Sequence, residues 1–242
     1  MARNESSFLI NDPAVLIPEG PKTDITELVF IVDCSGSMHG LEADTAGGIN
    51  AVLDKHREMP GDTLVSVVAF DDTSRVVFDR QPLSQIPPLT AADCQVGGCT
   101  ALYDAVGGAI KHIGRIQKYM PAGFKSDQVI FVITTDGMEN ASHEYSGAAV
   151  RKAILQKEKE GWEFLFLGAN IDAEDVASDL GIPEDRAVTY CGDACGTHAM
   201  YAACAEATLG ARQARGAGMR MGGGWKHSVE KDKKSRRWGR AK

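Results

Sequence analysis

Five short, nearly continuous apolar runs, at residues 28–32, 64–70, 76–78, 129–133 and 164–167, alternate with stretches whose apolar residues recur at helical spacing. The runs have strand length and are rich in branched and aromatic side chains, as expected of strands covered on both faces. The clearest helical stretch puts Leu102, Ala105, Val106, Ala109, Ile110 and Ile113 on one face; a second runs through Ala46, Ile49, Val52 and Leu53, and a third spans 147–160. A helix near 172–180, a short strand at 187–190 and an alanine-rich helix over 196–211 complete the series. Such alternation predicts a doubly wound, Rossmann-like α/β fold, with a mostly parallel six-stranded sheet and helices on both faces. The second and third strands are joined by little more than Asp71-Asp72-Thr73, too short for a parallel crossover. The third strand must therefore be antiparallel and at an edge.

A chain of 242 residues, 43% hydrophobic and 24% charged, can bury one substantial core and is not a disordered polymer. Its net charge of −7 conceals a division: residues 211–242 hold 11 of the 26 Lys and Arg but only two of the 33 acids, leaving about −16 on the body and +9 on the tail. The body is thereby a poor general binder of nucleic acid. The expected organisation is an N-terminal arm at 1–26, punctuated by Pro13, Pro18 and Pro21, one domain at 27–210, and a basic, flexible tail at 211–242. The first residues are polar rather than signal-like, and no later run reaches transmembrane length, so a cytoplasmic protein without membrane association is expected. In that compartment the six cysteines would be reduced thiols.

The chemistry concentrates at three strand or loop ends. Phe30-Ile31-Val32 runs into Asp33-Cys34-Ser35-Gly36-Ser37, placing one carboxylate and two hydroxyls at alternate positions. Gly97-Gly98-Cys99-Thr100 brings a third hydroxyl just before the long helix, and Thr134-Thr135-Asp136-Gly137 ends another strand with a second carboxylate. In a doubly wound sheet ligands gather at the carboxyl ends of the strands. Oxygen-only donors with few carboxylates suit a hard cation, Mg²⁺ first and Mn²⁺ or Ca²⁺ as the other candidates. Two negative charges against a dication would leave the metal electrophilic enough to accept an external carboxylate.

Taken in order, D-C-S-G-S, G-G-C-T and T-D-G resemble the metal-ion-dependent adhesion site of von Willebrand factor A domains, over roughly residues 27–192. The resemblance implies that Ser35 and Ser37 bind the metal directly and that Asp33 acts largely through water, while Thr100 and Asp136 change their contact with the bound state. It further implies a protein partner that presents an Asp or Glu to the metal. Lacking the secretion signal and stabilising disulfides of extracellular relatives, the chain looks more like the bacterial cytosolic A-domain proteins of tellurite-resistance and metal-chelatase systems.

His39, Glu139, Asn140 and His143 follow the motifs closely and are expected to form a rim that reads the partner. Cys34, Cys94 and Cys99 are read as small packing residues beside the site rather than as redox groups. Cys191, Cys195, His198 and Cys204 match no common zinc spacing. A binding module without catalysis of its own is the leading functional reading. The alternatives are a metal-dependent phosphohydrolase with Asp33 as nucleophile, and a nucleic-acid adaptor acting through the tail, where Trp225 and Trp238 interleave with Lys and Arg. Against the first stands Ser35, where a second acid would be needed two residues after Asp33.

Overall fold

Every residue of β1 (Ile25–Asp33) is buried in the computed structural model, which describes residues 24–219 and 221–239. β1 is the spine of a six-stranded sheet in the order β3-β2-β1-β4-β5-β6, completed by β2 (Asp62–Phe70), β3 (Ser74–Pro82), β4 (Gln128–Thr135), β5 (Glu163–Ala169) and β6 (Ala187–Tyr190). All neighbouring pairs are parallel except β2–β3, the edge hairpin that the short link at 71–73 demands. Alternate residues of β1 serve two cores, as the period of a strand dictates. Leu28, Phe30 and Val32 face α1 (Glu42–Arg57) and α5 (Ala194–Gly216). Val29 and Ile31 face α2 (Leu102–Tyr119), α3 (Gly147–Lys159) and α4 (Ala173–Asp179).

The helices α1 and α5 approach so closely that a Cβ on Gly48 would lie 2.0 Å from the Tyr201 ring. Deeper along this seam a polar cluster closes it. His56 Nδ1 lies 3.2 Å from an Arg212 N–H donor, so the ring proton must sit on Nε2, 2.9 Å from Thr208 Oγ1. The Thr208 hydroxyl in turn donates to the Cys204 carbonyl. Burial, reinforced by the Arg212 charge, pulls the pKa of His56 down from 6.5 to about 3. The folded state therefore resists protonation: this stability is complete above pH 6.5 and is lost as pH falls towards 3. Between pH 7 and 5 we expect the wild type to lose ~2 kcal/mol more than His56→Gln, whose amide can keep both bonds without titrating. Urea melts at the two pH values measure this, and equal losses would show that His56 titrates as an exposed imidazole.

Two expected boundaries are corrected. The arm at 1–26 lies outside the described residues save for 24–26, and β1 has already begun at Ile25. The domain does not close at Gly210: α5 continues unbroken to Gly216, and after a turn the chain forms α6 (His227–Gly239). Met221, Trp225 and Val229 are buried in the α1/α5 core, and Trp225 Nε1 donates to the Asp185 carbonyl at 3.0 Å. Lys226 Nζ caps the Glu184 and Ala187 carbonyls, and Arg186, itself buried, reaches the Met221 carbonyl at 2.8 Å. Apolar residues spaced four apart form a stripe that composition alone, counting glycines and charges, does not register. Among the described residues no helix is long and apolar enough to cross a membrane.

Candidate metal centre

Asp33 ends β1 at the carboxyl edge of the sheet, only 1% exposed, with both carboxylate oxygens engaged. Oδ1 accepts the Ser35 N–H at 2.8 Å, and Oδ2 accepts the Thr135 hydroxyl at 2.6 Å. The next residues turn through a single 3-10 turn, Gly36–Met38, which lifts Ser37 to the surface while Ser35 stays buried. Ser35 Oγ and Ser37 Oγ are 3.2 Å apart, and Ser37 donates to Asp136 Oδ1 at 2.6 Å. Thr100 comes from the loop before α2, which is zipped to the first loop by backbone bonds from Gly36 to the Gly98 carbonyl and from Gly97 to the Cys34 carbonyl. A Cβ built on Gly137 would stand 3.1 Å from Thr100 Oγ1 and 4.0 Å from Ser37 Oγ, so both hydroxyls border the same small space beside Asp136.

The five predicted donors, Asp33, Ser35, Ser37, Thr100 and Asp136, thus converge from three loops. No Lys, Arg or His among the described residues forms an ion pair with either carboxylate. Burial, together with the nearby Asp33 charge, raises the pKa of Asp136 against the lowering effect of its bond from Ser37. A site of this charge and donor type fits a hard divalent cation. No cluster of three or more His, Cys, Asp or Glu positioned to hold a metal occurs among the described residues.

The expected rim divides. His39 projects outward, its side chain 85% exposed, and His143 is exposed as well. Glu139 instead turns inward and staples its loop to the start of α2: Oε2 accepts Tyr103 N–H at 2.9 Å and Oε1 accepts Ala141 N–H and Ser142 N–H. Asn140 takes the Thr100 N–H on its Oδ1 at 2.9 Å and returns its own N–H to the Thr100 carbonyl at 3.0 Å. Both act as loop braces, Glu139 half-buried and Asn140 still exposed. Sequence reasoning also missed Asp104, whose carboxylate gathers the N–H groups of His143, Glu144 and Tyr145, and Met138, 62% exposed beside Asp136.

Behind the first loop, Cys34 and Cys94 are packed in the same core. The Cys94 contact, burial and the Asp33 charge hold the Cys34 thiol far above the ordinary thiol range. Cys204 is buried in α5, with its pKa pushed up to about 12 by burial, whereas Cys195 is exposed.

No family model matches the sequence, and no curated protein matches it in sequence. Solved structures do share its architecture. The pilus adhesin SpaC from Lactobacillus rhamnosus GG, in an open conformation, aligns over 76% of this chain and 30% of its own at 12% identity, with a TM-score of 0.57. Proximal thread matrix protein 1 from the mussel byssus aligns over 73% of this chain and 44% of its own, at 16% identity and a TM-score of 0.52. A von Willebrand factor type A protein from Catenulispora acidiphila aligns over 78% and 43%, at 19% identity and a TM-score of 0.50. This chain spans less than half the length of each of them. At such identities the likeness concerns the fold, and the fold is that of the von Willebrand factor A-type domain.

Proposed function

We propose that this chain is a metal-dependent protein-interaction module, in which Asp33, Ser35, Ser37, Thr100 and Asp136 hold Mg²⁺ and an Asp or Glu of a partner protein completes its coordination. The observation that carries this reading is the convergence of two carboxylates and three hydroxyls, with no cation among the described residues paired to either acid. The bound cation would supply a Lewis acid able to accept a carboxylate oxygen. The protein's part is to hold the donors. Ser35 N–H and the Thr135 hydroxyl fix the Asp33 carboxylate, and Ser37 orients Asp136. Exposed Ser37, His39 and Met138 give a macromolecular partner direct access. One protein of the same fold is, by name, a pilus adhesin, which agrees with a binding role.

The phosphohydrolase reading is weakened by Asp33 itself. A nucleophilic carboxylate needs an accessible oxygen, whereas here both oxygens already accept hydrogen bonds in a buried position. The adaptor reading is weakened by the docking of Trp225, one of the two tail tryptophans it requires, into the core. A pull-down from the source cells with the full chain as bait tests the proposal. We expect a partner retained in Mg²⁺ and released by chelator, with no Mg²⁺-dependent hydrolysis of a generic phosphate ester in a parallel assay. A partner set indifferent to chelator would overturn it.

A further inference from the structure

Thr100 differs from the other site hydroxyls. Ser35 and Ser37 bond to each other, and Ser37 to Asp136, but the Thr100 hydroxyl makes no hydrogen bond to another described residue although Thr100 is only 3% exposed. No side-chain hydrogen bond therefore fixes it, and its place beside Gly137 depends on its backbone, in a loop that follows two glycines. That backbone is held on two sides by side chains from other loops. The Asp72 carboxylate, in the β2–β3 hairpin, accepts the Cys99 N–H. Gly98, with φ of 60°, lies so close beneath it that a Cβ would stand 2.7 Å from Asp72 Oδ2. From the opposite loop Asn140 exchanges a pair of hydrogen bonds with the Thr100 backbone.

We infer that Asp72 and Asn140 are the positioning residues for the Thr100 hydroxyl, acting on the metal only through Thr100. This rests on the metal-binding reading proposed above. A hard cation of Mg²⁺ size tolerates little departure from octahedral geometry, so a donor that drifts with its loop is lost from the shell. Groups that orient a ligand in this way change metal affinity by roughly 10–100-fold when removed. Asp72 acts by accepting an N–H rather than by its charge. An asparagine, whose Oδ1 accepts equally, should replace it.

Mn²⁺ titration of the full chain, with the free ion followed by its spin resonance, tests this in a set of variants. Asp72→Ala and Asn140→Ala are expected to bind Mn²⁺ about 10-fold more weakly than wild type, and Asp72→Asn within about 3-fold of it. In a Thr100→Ala background, neither alanine change should weaken binding further, because the group they position is gone. Additive losses in the double variants would overturn the inference, as would wild-type affinity in both single alanine variants. Asp72→Asn as weak as Asp72→Ala would show a charge effect instead and would also overturn it. If Asp72→Ala does not melt cooperatively, Asp72→Glu, which displaces the acceptor by one methylene, should show the same dependence on Thr100. A wild-type chain that binds no Mn²⁺ is a separate result, which removes the metal reading itself.

Discussion

Thr100→Ala is expected to reduce Mg²⁺-dependent capture of the partner below detection while the domain loses only ~1 kcal/mol of stability, the cost of one buried methyl. The small stability cost follows from the free state of that hydroxyl: it makes no hydrogen bond within the described protein, so its removal orphans nothing. The large binding cost follows from its proposed place in an incomplete shell of neutral donors, where the loss of one oxygen must be made good by water. Asp33→Ala should abolish capture as well but is a less clean change. It strips the acceptor from Ser35 N–H, which costs roughly 1–3 kcal/mol, and leaves the buried Thr135 hydroxyl with only its longer bond to the Gly137 carbonyl at 3.1 Å. The contrast between the two variants therefore separates metal binding from folding. On the partner side, changing its acidic residue to the amide should reproduce the Thr100→Ala defect. Capture assays in Mg²⁺, run beside thermal melts, measure both quantities. If Thr100→Ala retains the partner at wild-type strength, or if capture survives chelation, the metal bridge is wrong.

That Thr100 could be singled out at all reflects which features of this fold are written locally in the chain. The central strands are legible because burial on both faces leaves continuous apolar runs, and the site motifs because they sit where those runs stop. Strand ends are less so. Glu27 reads as a boundary, yet it lies inside β1 with no exposed surface, its carboxylate met by Arg80, Gln117 and Ser126 from distant parts of the chain. β3 extends well beyond its apolar run at 76–78, because an edge strand can carry polar side chains along its exposed length. Within the site, the convergence of the five donors follows from topology, since β1 and β4 are adjacent and parallel. The bracing role of Glu139 and Asn140 does not. Their partners, Tyr103 and Thr100, lie 36 and 40 residues away, and nothing in a loop carboxylate or amide announces which backbone N–H it will accept. Met138 carries no signal in sequence because an isolated apolar residue in a loop is as readily buried as exposed.

The C-terminal segment poses the same problem on a larger scale, and Trp225→Ala is expected to expose it as part of the domain's stability. Trp225 is 6% exposed, belongs to the same core as α1 and α5, and donates its indole N–H to the Asp185 carbonyl. Truncating a buried tryptophan removes the transfer free energy of the ring and leaves a cavity, together ~3–5 kcal/mol. For a domain of this size that corresponds to a fall in Tm of about 10 °C. The loss should not stay local. Lys226 and Arg186 tie the same segment to the carbonyls around the start of β6, so detachment of Trp225 leaves the Glu184 and Ala187 carbonyls without their lysine donor and Arg186 without one of its acceptors. Amide exchange should then quicken both in α6 and across residues 184–190, whereas the N–H groups of β4 and β1, two and three strands further in, should keep their order of protection. Thermal melts and hydrogen exchange on the full chain measure the two effects. A loss below ~1 kcal/mol, with exchange in 184–190 unchanged, would mean that the segment is only loosely attached and that the domain does end near Gly210, as charge and glycine content alone suggest.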